Sequence, residues 1–209
     1  MKELIRNILK DQRGVSPLML LIIFLPLLIF TTTYSVTTTQ GVTTYDIDLQ
    51  NAVEVSARAA AQQVTDDSQA SGTPRIHTAN AHTIFRQELA RNMGLNEADL
   101  TPLAGSNIGQ PNYVFIVYNT DVTFAASGAE LAQKYVFSYG SLTNSALFPA
   151  GNPTSFVVSD TDITLGDVGA ITTTLEKPAV VAVVNADMKR AIGTDPVNMS
   201  RWMAVRLHY

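Results

Sequence analysis

Three histidines, His77, His82 and His208, are the first side chains to weigh for chemistry. A zinc site needs several donors converging on one point. Cysteine is absent from the chain, which removes thiolate ligands and disulfides together. His77 and His82 are five positions apart, a spacing that does not set them on one helix face, so the histidines read as capping or surface groups. Replacing all three by Gln is expected to leave function largely intact. Asp160, Asp162 and Asp167 offer carboxylate oxygens suited to calcium, but the loop pattern ending in a bidentate glutamate is missing, and the segment reads as a solvated turn.

Serines are plentiful, yet none lies in a Gly-x-Ser-x-Gly elbow, and neither a P-loop nor a dinucleotide-binding glycine pattern occurs. The residues therefore predict no catalytic group, no metal, no cofactor and no small-molecule substrate: the chain does not read as an enzyme. Trp202, the sole tryptophan, stands beside Met199 and Met203 and reads as core. Asn198-Met199-Ser200 fits the glycosylation triplet, which matters only in a host that uses it.

The elements that must position these residues begin with an apolar block. From Val15 to Phe30 no side chain is charged, and the block includes Leu18, Leu20, Ile22, Phe24, Pro26, Leu28 and Phe30. The weakly polar run to Val36 brings it to about the 20 residues that a bilayer-spanning helix requires. Lys2, Arg6, Lys10 and Arg13 precede it, and no further Lys or Arg occurs until Arg58. Basic flanks stay on the cytoplasmic side, so the N-terminus is expected in the cytoplasm and the C-terminal part outside. A cleavable signal peptide begins in the same way, but threonines follow Phe30 where small-x-small residues would mark cleavage. The reading is a retained single-pass anchor in the cell membrane, with the lipid bilayer as a partner.

Charge divides unevenly about this block, +2 before residue 31 and -6 after it, so the exported part is mildly acidic. That argues against a nucleic-acid partner.

Beyond the anchor, Leu49, Val53, Ala57, Ala60 and Val64 recur at three- and four-residue intervals, one stripe of an Ala-rich helix continuing the anchor to residue 65. Glu54 and Arg58 support it as a four-apart pair, and Gly41 is its weak point. The stripe has two readings, docking onto the protein's own domain or packing against neighbouring subunits. On the second, leucines at Ala57 and Ala60 block assembly, and the domain from about Arg75 folds without the stripe.

Residues 66–78 carry Gly and Pro and almost no apolar side chains, as a linker does. A second helix is expected over 80–93, with Ile84, Phe85, Leu89 and Met93 on one face and Gly94 as its C-terminal cap. Short β-rich runs follow, at 113–118, 135–137, 156–158, 171–175, 180–184 and 202–207. The fold class predicted is α+β: an N-terminal transmembrane helix continuing as a long helix, then a mixed or antiparallel sheet with helical cover. The domain plan is a basic tail at 1–14, the span at 15–36, the Ala-rich helix at 37–65, the linker, and an extracytoplasmic domain at 79–209.

Arg13-Gly14-Val15 leading into the apolar block, Pro26 within it, and the Ala/Arg-rich run from Gln50 to Ala61 resemble the TadE/TadG-like minor pilins of tight-adherence, type IV-related pilus systems. The resemblance covers about the first 65 residues. It implies a minor pilin or pseudopilin-like component of a surface pilus or secretion assembly, partnered by other pilin-like or pilus-assembly subunits and acting in adhesion or secretion through helix packing and display. It also makes Gly14 and Val15 a candidate leader-processing site. There the chain departs from the pattern, because Met19 stands where such leaders place a glutamate. Arg13 to Pro17 also resembles the leader of archaeal pilin-like proteins. Two other classes stay open, a stand-alone membrane-tethered binding or sensor domain and an extracytoplasmic hydrolase.

Overall fold

The computed structural model describes residues 15–119, 128, 130–146, 156–158, 171–173, 178–190 and 195–207. A first helix, α1 (Val15–Ala61), runs without a break from the apolar block into the domain beyond it. Pro26 lies inside it, forfeiting one backbone hydrogen bond, and Gly41 is helical rather than a point of failure. From Met19 onward α1 is long and apolar enough to cross a membrane.

From Leu49 the same helix enters a different environment. Leu49, Ala52, Val53, Ala57, Ala60 and Ala61 are buried in the main core, together with residues as distant in sequence as Met199 and Leu207. One continuous core therefore joins α1 to the strands, and the expected boundary near residue 65 cuts through it.

The stretch 66–78 is folded rather than a linker. It holds a short helix, α2 (Asp66–Ala70), and Val64 forms an antiparallel bridge with Ile76. Buried Ser68 binds both sides of the turn, its hydroxyl accepting from the Arg75 amide at 2.9 Å. A long helix, α3 (Thr78–Met93), returns alongside α1, and Gly94 ends it at φ 65 with its amide donating to the Ala90 carbonyl. The left-handed backbone there is the reason glycine closes the helix.

Among the described residues, seven strands follow: β1 (Asn112–Tyr118), β2 (Ala132–Ser138), β3 (Ser141–Ala146), β4 (Phe156–Val158), β5 (Ile171–Thr173), β6 (Ala179–Met188) and β7 (Val197–Arg206). Five form one sheet in the order β3-β2-β1-β6-β7, every neighbouring pair antiparallel, while β4 and β5 pair separately. β1 and β6 lie at the centre and are buried on both faces, which is why they read as continuous apolar runs instead of alternating ones. Tyr113, Phe115, Val117, Val180, Ala182 and Val184 face the helices, whereas Val114, Ile116, Tyr118, Val181 and Val183 form a second cluster on the opposite face.

β7 and β6 pack against α1. Asp46 pairs with Arg201, and Arg58 and Gln62 border Met203 to Leu207. Going up α1 from Asp46 to Arg58 and Gln62, the neighbouring part of β7 passes from Arg201 to Met203–Leu207, so the helix and the strand run in the same general direction. The end of the domain nearest the apolar block thus holds the β2–β3 turn, the end of β6, the start of β7 and the loop after α3.

β3 is a strand the sequence pattern does not predict, and Trp202 sits differently from its expectation. β3 has no apolar face, since all six of its residues are exposed, and an edge strand needs none. Trp202 is 41% exposed rather than core, because strand alternation sends Met199 and Met203 toward the helices and Trp202 to the other side.

Candidate functional site

The histidines do separate work. His77 is the N-cap of α3, its Nδ1 accepting the Asn80 amide at 3.3 Å. Gly128 lies so close that a Cβ there would sit 2.5 Å from His77 Nε2, and its carbonyl accepts the Thr78 amide at 2.9 Å. The backbone there has φ 79°, and that conformation together with the close imidazole favours glycine.

His82 is buried rather than on the surface. Its ring stacks on Tyr135 with centroids 4.1 Å apart and planes 4° from parallel, and its Nε2 forms a 2.8 Å hydrogen bond with the Tyr113 hydroxyl. Burial, helped by the Arg86 guanidinium one turn along α3, lowers its pKa to about 4. The same burial raises Tyr113 and Tyr135 above the usual phenol range. This neutral histidine sits in an aromatic cage of Tyr113, Phe115 and Tyr135. It packs α3 to the sheet. The signal for it was legible, because His82, Phe85 and Leu89 recur at three- and four-residue intervals on the buried face.

Among the described residues no three His, Asp or Glu side chains gather on one point. His208, Asp160, Asp162 and Asp167 lie outside the described residues, as does Gly14, while Val15 opens α1. An opening of about 500 Å³ lies between the end of α1 and β7 and is lined by Arg58, Gln62, Met203, Val205, Arg206 and Leu207 among others. Its lining offers no nucleophile paired with a base. The Asn198 amide of the glycosylation triplet donates to Asn185 and Asp187 across the strand.

What remains on offer is the surface of α1. Leu20, Ile22, Phe24, Leu28 and Phe30 are all more than half exposed, Pro26 is exposed, and Leu18 lies on the same helix. The threonines beyond them hide their polarity. Thr31, Thr32, Thr37, Thr38, Thr39, Thr43 and Thr44 each donate a hydroxyl to a carbonyl three or four residues earlier, at 2.7–3.0 Å. The helix then presents methyl groups outward, which suits lipid or another helix better than water.

The stripe takes the first of its two readings. Leu49, Val53, Ala57 and Ala60 are fully buried against the protein's own α3 and sheet, leaving none of them to a neighbouring subunit. Val64 has left the helix, which ends at Ala61, and packs on the core from the Ile76 bridge. Replacing Ala57 and Ala60 by Leu is consequently expected to destabilise the domain by about 1–3 kcal/mol per site, through overpacking of its own core. Urea unfolding of the variant checks this, with an unchanged midpoint as the contrary result.

Compared with known proteins, the chain matches no family model, and no curated protein or solved structure matches it.

Proposed function

We propose that this chain is a single-pass membrane protein acting as a minor pilin or pseudopilin-like subunit of a surface pilus or secretion assembly. It works by packing its helix against other subunits and by holding an exported domain outside the membrane. α1 crosses the bilayer with Lys2, Arg6, Lys10 and Arg13 on the cytoplasmic side, in keeping with the basic flank.

The observation that carries this reading is the continuity of α1. The apolar span and the core helix of the domain are one element with no flexible joint between them, so any movement or fixation of the span is passed rigidly to the domain. A subunit placed by its anchor needs that coupling, whereas a stand-alone tethered binding domain works equally well on a loose stalk. Because the stripe at 49–60 is occupied internally, the packing surface belongs to the exposed stretch from Met19 to Thr44.

The natural absence of cysteine makes the test direct. Single cysteines placed in turn from Met19 to Thr39 should give discrete disulfide or bismaleimide adducts in native membranes, recurring every three or four positions on one helix face. Monomer alone at every position would favour the stand-alone binding or sensor domain.

A further inference from the structure

We infer that the end of the domain nearest the membrane, built around Tyr139 and Leu103, seats on the outer headgroup layer of the bilayer that α1 crosses. The inference rests on the membrane-anchored reading above and adds a contact that the anchor alone does not supply.

Length brings the surfaces together. Between Arg13 and Asp46 no residue is charged, and the helix from Val15 to Tyr45 rises roughly 46 Å. A bilayer with its headgroup regions is roughly 40–45 Å thick. Asp46, the first charge on the outer side, pairs with Arg201 of the sheet, so the domain starts where the headgroups end.

Several large apolar side chains at that end are exposed. Tyr139 is 91% exposed, Leu103 53% and Leu142 43%. Tyr139 and Leu142 belong to the β2–β3 turn and the start of β3, while Leu103 lies in the loop after α3. Gln110 ties these parts together: its Nε2 donates to the Asp99 carbonyl at 2.8 Å, and a side chain at Gly140 would meet it. The Lys189 ammonium also donates to the Ser106 carbonyl at 3.1 Å, fixing the same loop to the end of β6.

Tyr139 is also conformationally costly where it stands. Tyr139 and Gly140 both have positive φ, 49° and 80°, the backbone of a two-residue hairpin turn whose first position favours Asn, Asp or Gly. A tyrosine held there with almost no protein contact lacks a folding reason. A phenol at the level of the headgroups supplies one, since the ring is apolar and its hydroxyl reaches water. Both charge signs share this end, with Lys189 and Arg190 among Glu97, Asp99 and Asp187, so apolar insertion rather than attraction to anionic lipid drives the contact.

The test uses the full chain in phosphatidylcholine nanodiscs with single-cysteine fluorophores at Ala104, Ser141, Ala70 and Phe24. Headgroup-attached nitroxide should quench the labels at Ala104 and Ser141 and leave Ala70, at the far end, bright, while an acyl-chain nitroxide quenches Phe24. Tyr139→Asn, a residue better suited to the turn, should preserve the fold and remove most of the quenching at Ala104. Bright labels at Ala104 and Ser141 with Phe24 quenched would overturn the seating alone and leave that end to a protein partner. An unquenched Phe24 would overturn the membrane-anchored reading itself. Unchanged quenching at Ala104 in Tyr139→Asn would overturn the part given to Tyr139.

Discussion

A fragment beginning at Arg75 is expected not to fold, whereas one beginning at Tyr45 folds without the membrane. The fragment from Arg75 keeps α3 and every strand, and it is the piece that would stand alone if the stripe served a partner. In the structure it loses Leu49, Val53, Ala57 and Ala60 from a core in which all four are fully buried. Complete burial of a Leu or Val side chain stabilises by about 1.5–3 kcal/mol. Removing the helix also uncovers Phe85 and Leu89 of α3 and Met188 and Met199 of the sheet, which share that core. Set against a total stability of roughly 5–15 kcal/mol, the loss is decisive. Circular dichroism with urea should show a cooperative transition for 45–209 and none for 75–209. A shared midpoint would remove α1 from the fold.

That expectation shows what periodicity conveys and what it leaves out. The intervals from Leu49 to Ala60 established that one face of the helix is buried, but the same stripe serves a neighbour or the protein's own sheet equally well. Only the return of α3 and the placement of β6 and β7 beside α1 decide between them, and those are long-range contacts with no local signature. Local signatures were readable where a residue type has one physical use, as with Gly94 at the left-handed end of α3 and the dense Val-rich run of β6. β3 was invisible because an exposed edge strand carries no apolar alternation. Trp202 misled through its neighbours, since in a strand adjacent residues point to opposite faces. The seat around Tyr139 had a weak signal, a Tyr-Gly pair between two strands, whose meaning depends on a backbone angle the sequence does not display.

His82→Gln should destabilise the domain by about 1–3 kcal/mol at neutral pH and flatten its acid sensitivity, contrary to the mild effect expected of a surface histidine. At neutral pH the loss comes from the stack on Tyr135 and the hydrogen bond to the Tyr113 hydroxyl, which is then left without its partner in the core. The pH effect follows from linkage. His82 has a folded pKa of about 4, below the value near 6.5 that an exposed histidine shows. Above pH 6.5 it is neutral folded or unfolded and nothing is lost. As pH falls from 6.5 to 4 the unfolded chain takes up a proton that the folded protein refuses, so stability declines, by up to about 3 kcal/mol, and the decline levels off below pH 4. Carboxylates titrate over part of the same range, but they are common to wild type and variant, so the difference between the two urea midpoints across pH 4–7 isolates His82. The gap should be widest at pH 7 and close toward pH 4. A gap that stays constant would mean that His82 carries its proton inside the folded core, with the cage of Tyr113, Tyr135 and Phe115 stabilising the cation.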